Sequence, residues 1–181
     1  MQRADILLIP GFGNSGPAHW QSLWEEALPS ARRVALGDWD SPTPERWIAR
    51  LDAAIVACAE PPVLVAHSLG VIAVASWAAL SRAPVRAALL VAPPDMDRTD
   101  LPAEVRAFGA PSLALLRFAA VVAASSTDPF CTSARSRALA EAWGAGFVDL
   151  GDAGHVNTAS GHGPWPVGEQ LLASMMDARG V

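Results

Sequence analysis

The chain has 181 residues, half of them hydrophobic and 17% charged, with 13 basic side chains against 18 acidic ones for a net charge of −5. That length suits one domain, residues 1–181, with a single good core, and the absence of any basic run argues against nucleic acid as a partner. Nothing approaches the roughly 18 uninterrupted apolar residues of a membrane span, and Cys58 and Cys131 make neither a disulfide framework nor a metal-ligand set.

Ile6-Leu-Leu-Ile9 is an apolar run stopped by Pro10-Gly11, the pattern of a buried parallel strand. Gly11 to Gly16 reads as a loop, and Pro17 suits the first turn of a helix running to about Leu28. Arg33-Val-Ala-Leu36 reads as a second strand. Thr43 and Pro44 are the N-cap and first residue of a helix carrying Trp47, Leu51, Ile55 and Val56 at helical spacing. A central strand at 62–66 leads through Ser68 into a long apolar helix, Leu69 to Leu80. Residues 85–91 form a fourth strand, and 95–117 read as a loop with a helical turn. A fifth strand at 118–124 precedes Ser125-Ser-Thr-Asp-Pro129 and a helix from Ser133 to Trp143, closed by Gly144. A last strand, 147–150, leads to Gly151-Asp-Ala-Gly-His155, and a C-terminal helix covers 167–177.

Strands alternating with helices predict a parallel sheet covered on both faces. Such sheets bind ligands beyond the C-terminal strand ends, where the strand order reverses. The loop Gly11–Gly16, Ser68, Asp128 and His155 all follow predicted strands, so they gather at that edge.

The stretch Ala66-His67-Ser68-Leu69-Gly70 places a serine at a strand-to-helix corner, the nucleophile-elbow arrangement, with alanine where G-x-S-x-G has its first glycine. A serine hydroxyl needs an adjacent base that a third group orients. His155, in a glycine-containing loop after the last strand, is the favoured base. His67 sits beside the serine but points away from it, His19 belongs to the first helix, and His162 lies in a loop. Asp128, after the fifth strand, is the favoured acid. Asp152 is its rival, with a simpler role in bracing the His155 loop, and Asp149 ranks third.

Two N–H donors would hold a developing oxyanion: Leu69 directly after the serine, and Phe12 in the first loop, with Gly13 in reserve. Gly13, Trp39, Phe130 and Trp165 are candidates to line a substrate pocket. Gly11-x-Gly13-x-x-Gly16 with Asp38 further on matches a dinucleotide fingerprint. Pro17 counts against it, because the residue before a proline avoids the helical region and the fingerprint needs its third glycine inside the helix.

Taken together, Pro10 to Pro17, His19-Trp20, Asp38-Trp39, Ala66 to Gly70, Val91 to Pro94, Asp128-Pro129, Gly154 to Asn157 and Ser160 to Trp165 resemble the small serine hydrolases of the retinoblastoma-binding-protein-nine type. The resemblance covers almost the whole chain. It implies a minimal α/β-hydrolase: a three-layer sandwich with a six-stranded, mainly parallel sheet and no cap domain. It also implies Ser68, Asp128 and His155 as the triad.

The expectation is a cytoplasmic serine hydrolase without cofactor or metal, acting on a small-molecule carboxylic ester, or a thioester or amide, through an acyl-enzyme. A protein-binding module with a residual triad would show the same motifs, since fold and function separate readily, and a protein partner is left open. A dinucleotide-dependent oxidoreductase is the minority alternative.

Overall fold

The structure is a computed structural model and describes residues 5–177. Its six strands are β1 (Ile6–Ile9), β2 (Ala31–Arg33), β3 (Val63–His67), β4 (Ala87–Val91), β5 (Ala119–Ala124) and β6 (Gly146–Asp149). They form one sheet in the order β2-β1-β3-β4-β5-β6, and every neighbouring pair is parallel. The helices are α1 (Trp20–Ala27), α2 (Pro44–Val56), α3 (Leu69–Leu80), α4 (Ala103–Arg106), α5 (Ser133–Trp143) and α6 (Pro166–Asp177).

Alternate residues of a strand face opposite sides of the sheet, and here both sides are apolar. Leu7, Ile9, Leu64, Leu90 and Val122 face Trp47 and Leu51 of α2, Trp77 of α3, and Leu139 and Trp143 of α5. Ile6, Leu8, Val63, Val65, Leu89 and Val91 face Trp20 and Trp24 of α1 and Leu172 of α6. The result is a three-layer α/β sandwich. Helix α3 is buried along nearly its whole length, as expected of a helix that is apolar on every side. Between β4 and β5 the only helix is the four-residue α4, so no cap domain is inserted there. Among the described residues no helix is long and apolar enough to cross a membrane.

Two elements differ from the sequence reading. Helix α1 starts at Trp20 rather than at Pro17, because Gly16 to His19 form a turn closed by His19 N–H to the Gly16 carbonyl at 3.0 Å. Edge strand β2 is Ala31–Arg33 rather than 33–36: Ile6, Leu7 and Leu8 pair with these three residues. The apolar Val34 and Leu36 instead drop into the core just beyond the strand.

The strand order reverses between β1 and β3, which lie side by side although β2 separates them in sequence. At their C-terminal ends backbone meets backbone. A Cβ on Gly70 would lie 2.4 Å from the Ile9 carbonyl oxygen and 2.7 Å from that of Pro10. Gly70→Ala is therefore expected to destabilise the protein by at least the roughly 1–3 kcal/mol typical of overpacking. Urea midpoints read this directly, and a variant as stable as wild type would contradict the close approach.

Candidate active site

Ser68 sits at the N-terminus of α3 with φ 55° and ψ −124°. A non-glycine residue holds that left-handed conformation only where its surroundings impose it. Gly11 supplies part of the constraint, since a Cβ there would come within 2.8 Å of the Ser68 Cβ. The sharp turn leaves the Leu69 N–H at the head of a helix, where no intrahelical acceptor exists. Among the described residues neither Leu69 N–H nor Phe12 N–H donates a hydrogen bond, and both residues border the cavity beside Ser68.

The structure brings Ser68, His155 and Asp128 into one hydrogen-bonded line. His155 Nε2 lies 2.9 Å from Ser68 Oγ, and His155 Nδ1 lies 2.8 Å and 3.0 Å from the two Asp128 oxygens. A carboxylate accepts only, so Nδ1 carries the proton and Nε2 is free to accept from the serine hydroxyl. The Asp128 side chain is 2% exposed, and its Oδ1 also accepts the Phe130 N–H at 2.8 Å. A buried carboxylate is tolerable only with such partners.

The loops after β5 and β6 are tied together by side chains that the sequence reading did not single out. Ser125 Oγ donates to the Gly151 carbonyl and accepts from Ala153 N–H, both at 3.0 Å. Thr127 Oγ1 donates to Asp152 at 2.7 Å and accepts from Gly154 N–H at 3.1 Å. Asp152 thus braces the His155 loop by accepting the Thr127 hydroxyl from the Asp128 loop. The run Ser125-Ser126-Thr127 directly after β5 was the available signal.

The other histidines have distinct partners. His67 is buried at the end of β3, and its Nε2 donates to the His155 carbonyl at 2.9 Å. Burial, with His155 and His19 nearby, pushes its pKa well below the usual value. His19 is not within α1 but caps it, its Nδ1 accepting Gln21 N–H at 3.1 Å. Burial and then the charge of Arg33 lower its pKa to about 4. His162 lies 3.2 Å from Ser160 Oγ.

Of the pocket candidates, Phe130 borders the apolar cavity beside Ser68 and stands edge-on to His155 with ring centroids 4.7 Å apart. The other three call for correction. Gly13, at φ +74°, spends its N–H on the Trp39 carbonyl at 2.9 Å, which also removes it as a reserve oxyanion donor. Trp39 packs against Trp47. Trp165 is buried between α1 and α6, stacked on Trp24 with ring planes at 12°. None of these three borders the cavities at Ser68.

Gly16 stands outside α1, and a Cβ there would meet nothing within 4 Å, so the close helix–strand packing of a dinucleotide fingerprint is missing. Burial raises the Cys131 thiol to about 11, far from the range of a reactive thiolate. Among the described residues no group of three or more His, Cys, Asp or Glu is placed to hold a metal ion.

Solved structures of other proteins share this fold. A YdeN-like hydrolase from Pectobacterium atrosepticum is 29% identical, with a TM-score of 0.86 over 97% of this chain and 92% of that one. The ydeN gene product from B. subtilis is 22% identical, with a TM-score of 0.80 over 95% and 98%. The esterase domain of a Rhodothermus marinus protein shares the fold at 20% identity, with a TM-score of 0.68 over 97% and 88%. No curated protein sequence matches the chain. The profile of the family described as serine hydrolase matches residues 6–174, and the chain belongs to that family.

Proposed function

We propose that the protein hydrolyses a carboxylic ester, with Ser68 as nucleophile, His155 as general base and acid, and Asp128 as the group that orients His155. The observation that carries this reading is the unbroken Ser68–His155–Asp128 hydrogen-bond line, beside two N–H groups that have no partner among the described residues. Ser68 Oγ attacks the carbonyl carbon while its proton passes to His155 Nε2. The bond to the alcohol oxygen then breaks, and that oxygen takes the proton from His155. Water repeats the sequence on the acyl-enzyme and releases the acid. Leu69 N–H and Phe12 N–H hold the oxyanion of each tetrahedral intermediate.

During attack His155 becomes an imidazolium, and Asp128 balances its charge. The His67 ring, 4.9 Å from that of His155, would oppose the charge if it were itself protonated. Its burial keeps it neutral.

A fluorophosphonate probe is expected to label wild type and not Ser68→Ala, and Ser68→Ala should lose about a thousandfold or more in kcat/KM on simple esters. A native protein that takes no label, or a Ser68→Ala variant that still turns over, would defeat the assignment.

The buried histidines also set a pH window. With folded-state pKa values below the unfolded 6.5, His19 and His67 take up protons only on unfolding. Their stabilisation is complete above about pH 6.5 and is lost as pH falls from there towards 4. His19 alone accounts for on the order of 3 kcal/mol across that window. Urea midpoints at pH 7.5 and 5 should differ accordingly, and a midpoint that holds steady over this range would refute the claim.

A further inference from the structure

The loop that carries His155 is bent by a left-handed residue on either side of it, Gly154 at φ 55° and Val156 at φ 49°. Among the described residues Val156 is the one β-branched residue at positive φ. Such a residue is an outlier in that region and stays there only where its surroundings hold it. Val156 is fully buried, in the half of the core that α1 and α6 cover.

Hydrogen bonds on two successive peptide groups hold it. The group joining His155 to Val156 is fixed at both ends. Its carbonyl accepts His67 Nε2–H at 2.9 Å, and its N–H donates to the Ala153 carbonyl at 3.1 Å. The next carbonyl, that of Val156, accepts Trp20 Nε1–H at 2.8 Å. If Val156 turned to negative φ, either the first peptide group would rotate away from His67 and Ala153 or the second would leave Trp20. A buried carbonyl left without a donor is costly, so these bonds lock the turn.

His67 is itself firmly placed. It is 5% exposed, its backbone lies in β3 opposite Val91 of β4, and its ring stands edge-on to His19 at 4.9 Å and to Trp20 at 6.0 Å. It also directly precedes Ser68 in the chain. Its bond therefore joins the backbone of His155 to the strand that ends at Ser68, independently of the contact between His155 Nε2 and Ser68 Oγ. Proton transfer along that contact is sensitive to small displacements, since a misplacement of about 1 Å can cost on the order of a hundredfold in rate.

Resting on the ester-hydrolase reading above, we infer that His67 is a positioning residue for His155, aided by Trp20. Their two N–H groups hold Val156 left-handed and so keep the His155 ring within reach of Ser68 and Asp128. The test measures kcat and KM on para-nitrophenyl acetate and the rate of fluorophosphonate labelling, with urea midpoints to confirm folding. The amide nitrogen of glutamine reaches the position of Nε2, whereas that of asparagine stops one bond short of it. His67→Gln is therefore expected to keep most of the wild-type kcat. His67→Asn should lose about tenfold to a hundredfold in kcat and in labelling rate, with KM nearly unchanged. Trp20→Phe, which leaves β3 untouched, should lower kcat in the same sense. If the ring served packing alone, both amides would fall together, because both replace it. Equal losses in His67→Gln and His67→Asn, wild-type kcat in both His67→Asn and Trp20→Phe, or a loss confined to KM would overturn the inference. A wild-type protein that takes no label would instead overturn the hydrolase reading on which it stands.

Discussion

The first turn of α3 passes so close to the end of β1 that only glycine fits at position 70, where a Cβ would press on two successive carbonyl oxygens. The same contact, seen from the other side, excludes a side chain at Gly11. Pinning these two chain segments together holds Ser68 in its left-handed conformation and sets the Phe12 loop beside the head of α3. Because the strand order reverses at this point, the connections leaving β1 and β3 diverge and open a crevice above the sheet edge. Alanine at position 66 is tolerated because its methyl group packs into the α2–α3 side of the core, away from this contact.

The loop carrying Phe12 is anchored from below by two polar side chains. Gln21 is fully buried, yet it donates to the carbonyls of Ile9 at 3.3 Å and Val65 at 3.1 Å and accepts the Ser15 hydroxyl at 2.7 Å. Arg33 donates to Asn14, Ser15 and Ser22 while paired with Glu25. An N–H aimed at developing charge is useful only if its loop does not have to reorganise during the reaction. These contacts supply that rigidity through α1 and the edge strand.

The parts of this arrangement that were legible in the sequence are those carried by local pattern. Ile6–Ile9 and Val63–His67 announce buried strands by composition, and small residues around Ser68 announce the elbow. The order serine, aspartate, histidine, each just after a strand, locates the line of Ser68, Asp128 and His155. What could not be read depends on distant contacts. Trp165 follows a loop like a pocket residue, but it belongs to a tryptophan cluster with Trp20 and Trp24 of α1. Trp20 in turn donates to the Val156 carbonyl, 136 residues away. The second strand was misplaced because its ladder is formed by the arginine-bearing residues 31–33. An edge strand has one open side and accepts charge there, so apolarity pointed to the wrong three residues.

Three histidine rings stand in a row at the site, His19 to His67 to His155, each 4.9 Å from the next. Their exposures are nearly equal, 5%, 5% and 8%, so burial alone does not assign their roles. Partners do. Nδ1 of His19 faces a backbone N–H, and Nε2 of His67 faces a carbonyl, so each ring is fixed in one neutral tautomer and neither is beside a carboxylate. His155 alone among the three meets a carboxylate on one nitrogen and a hydroxyl on the other. A proton arriving on His155 is matched by Asp128, whereas one arriving on either neighbour would lose a hydrogen bond or gain no counter-charge. The row thus confines the charge of the proposed reaction to the one ring that can reach Ser68.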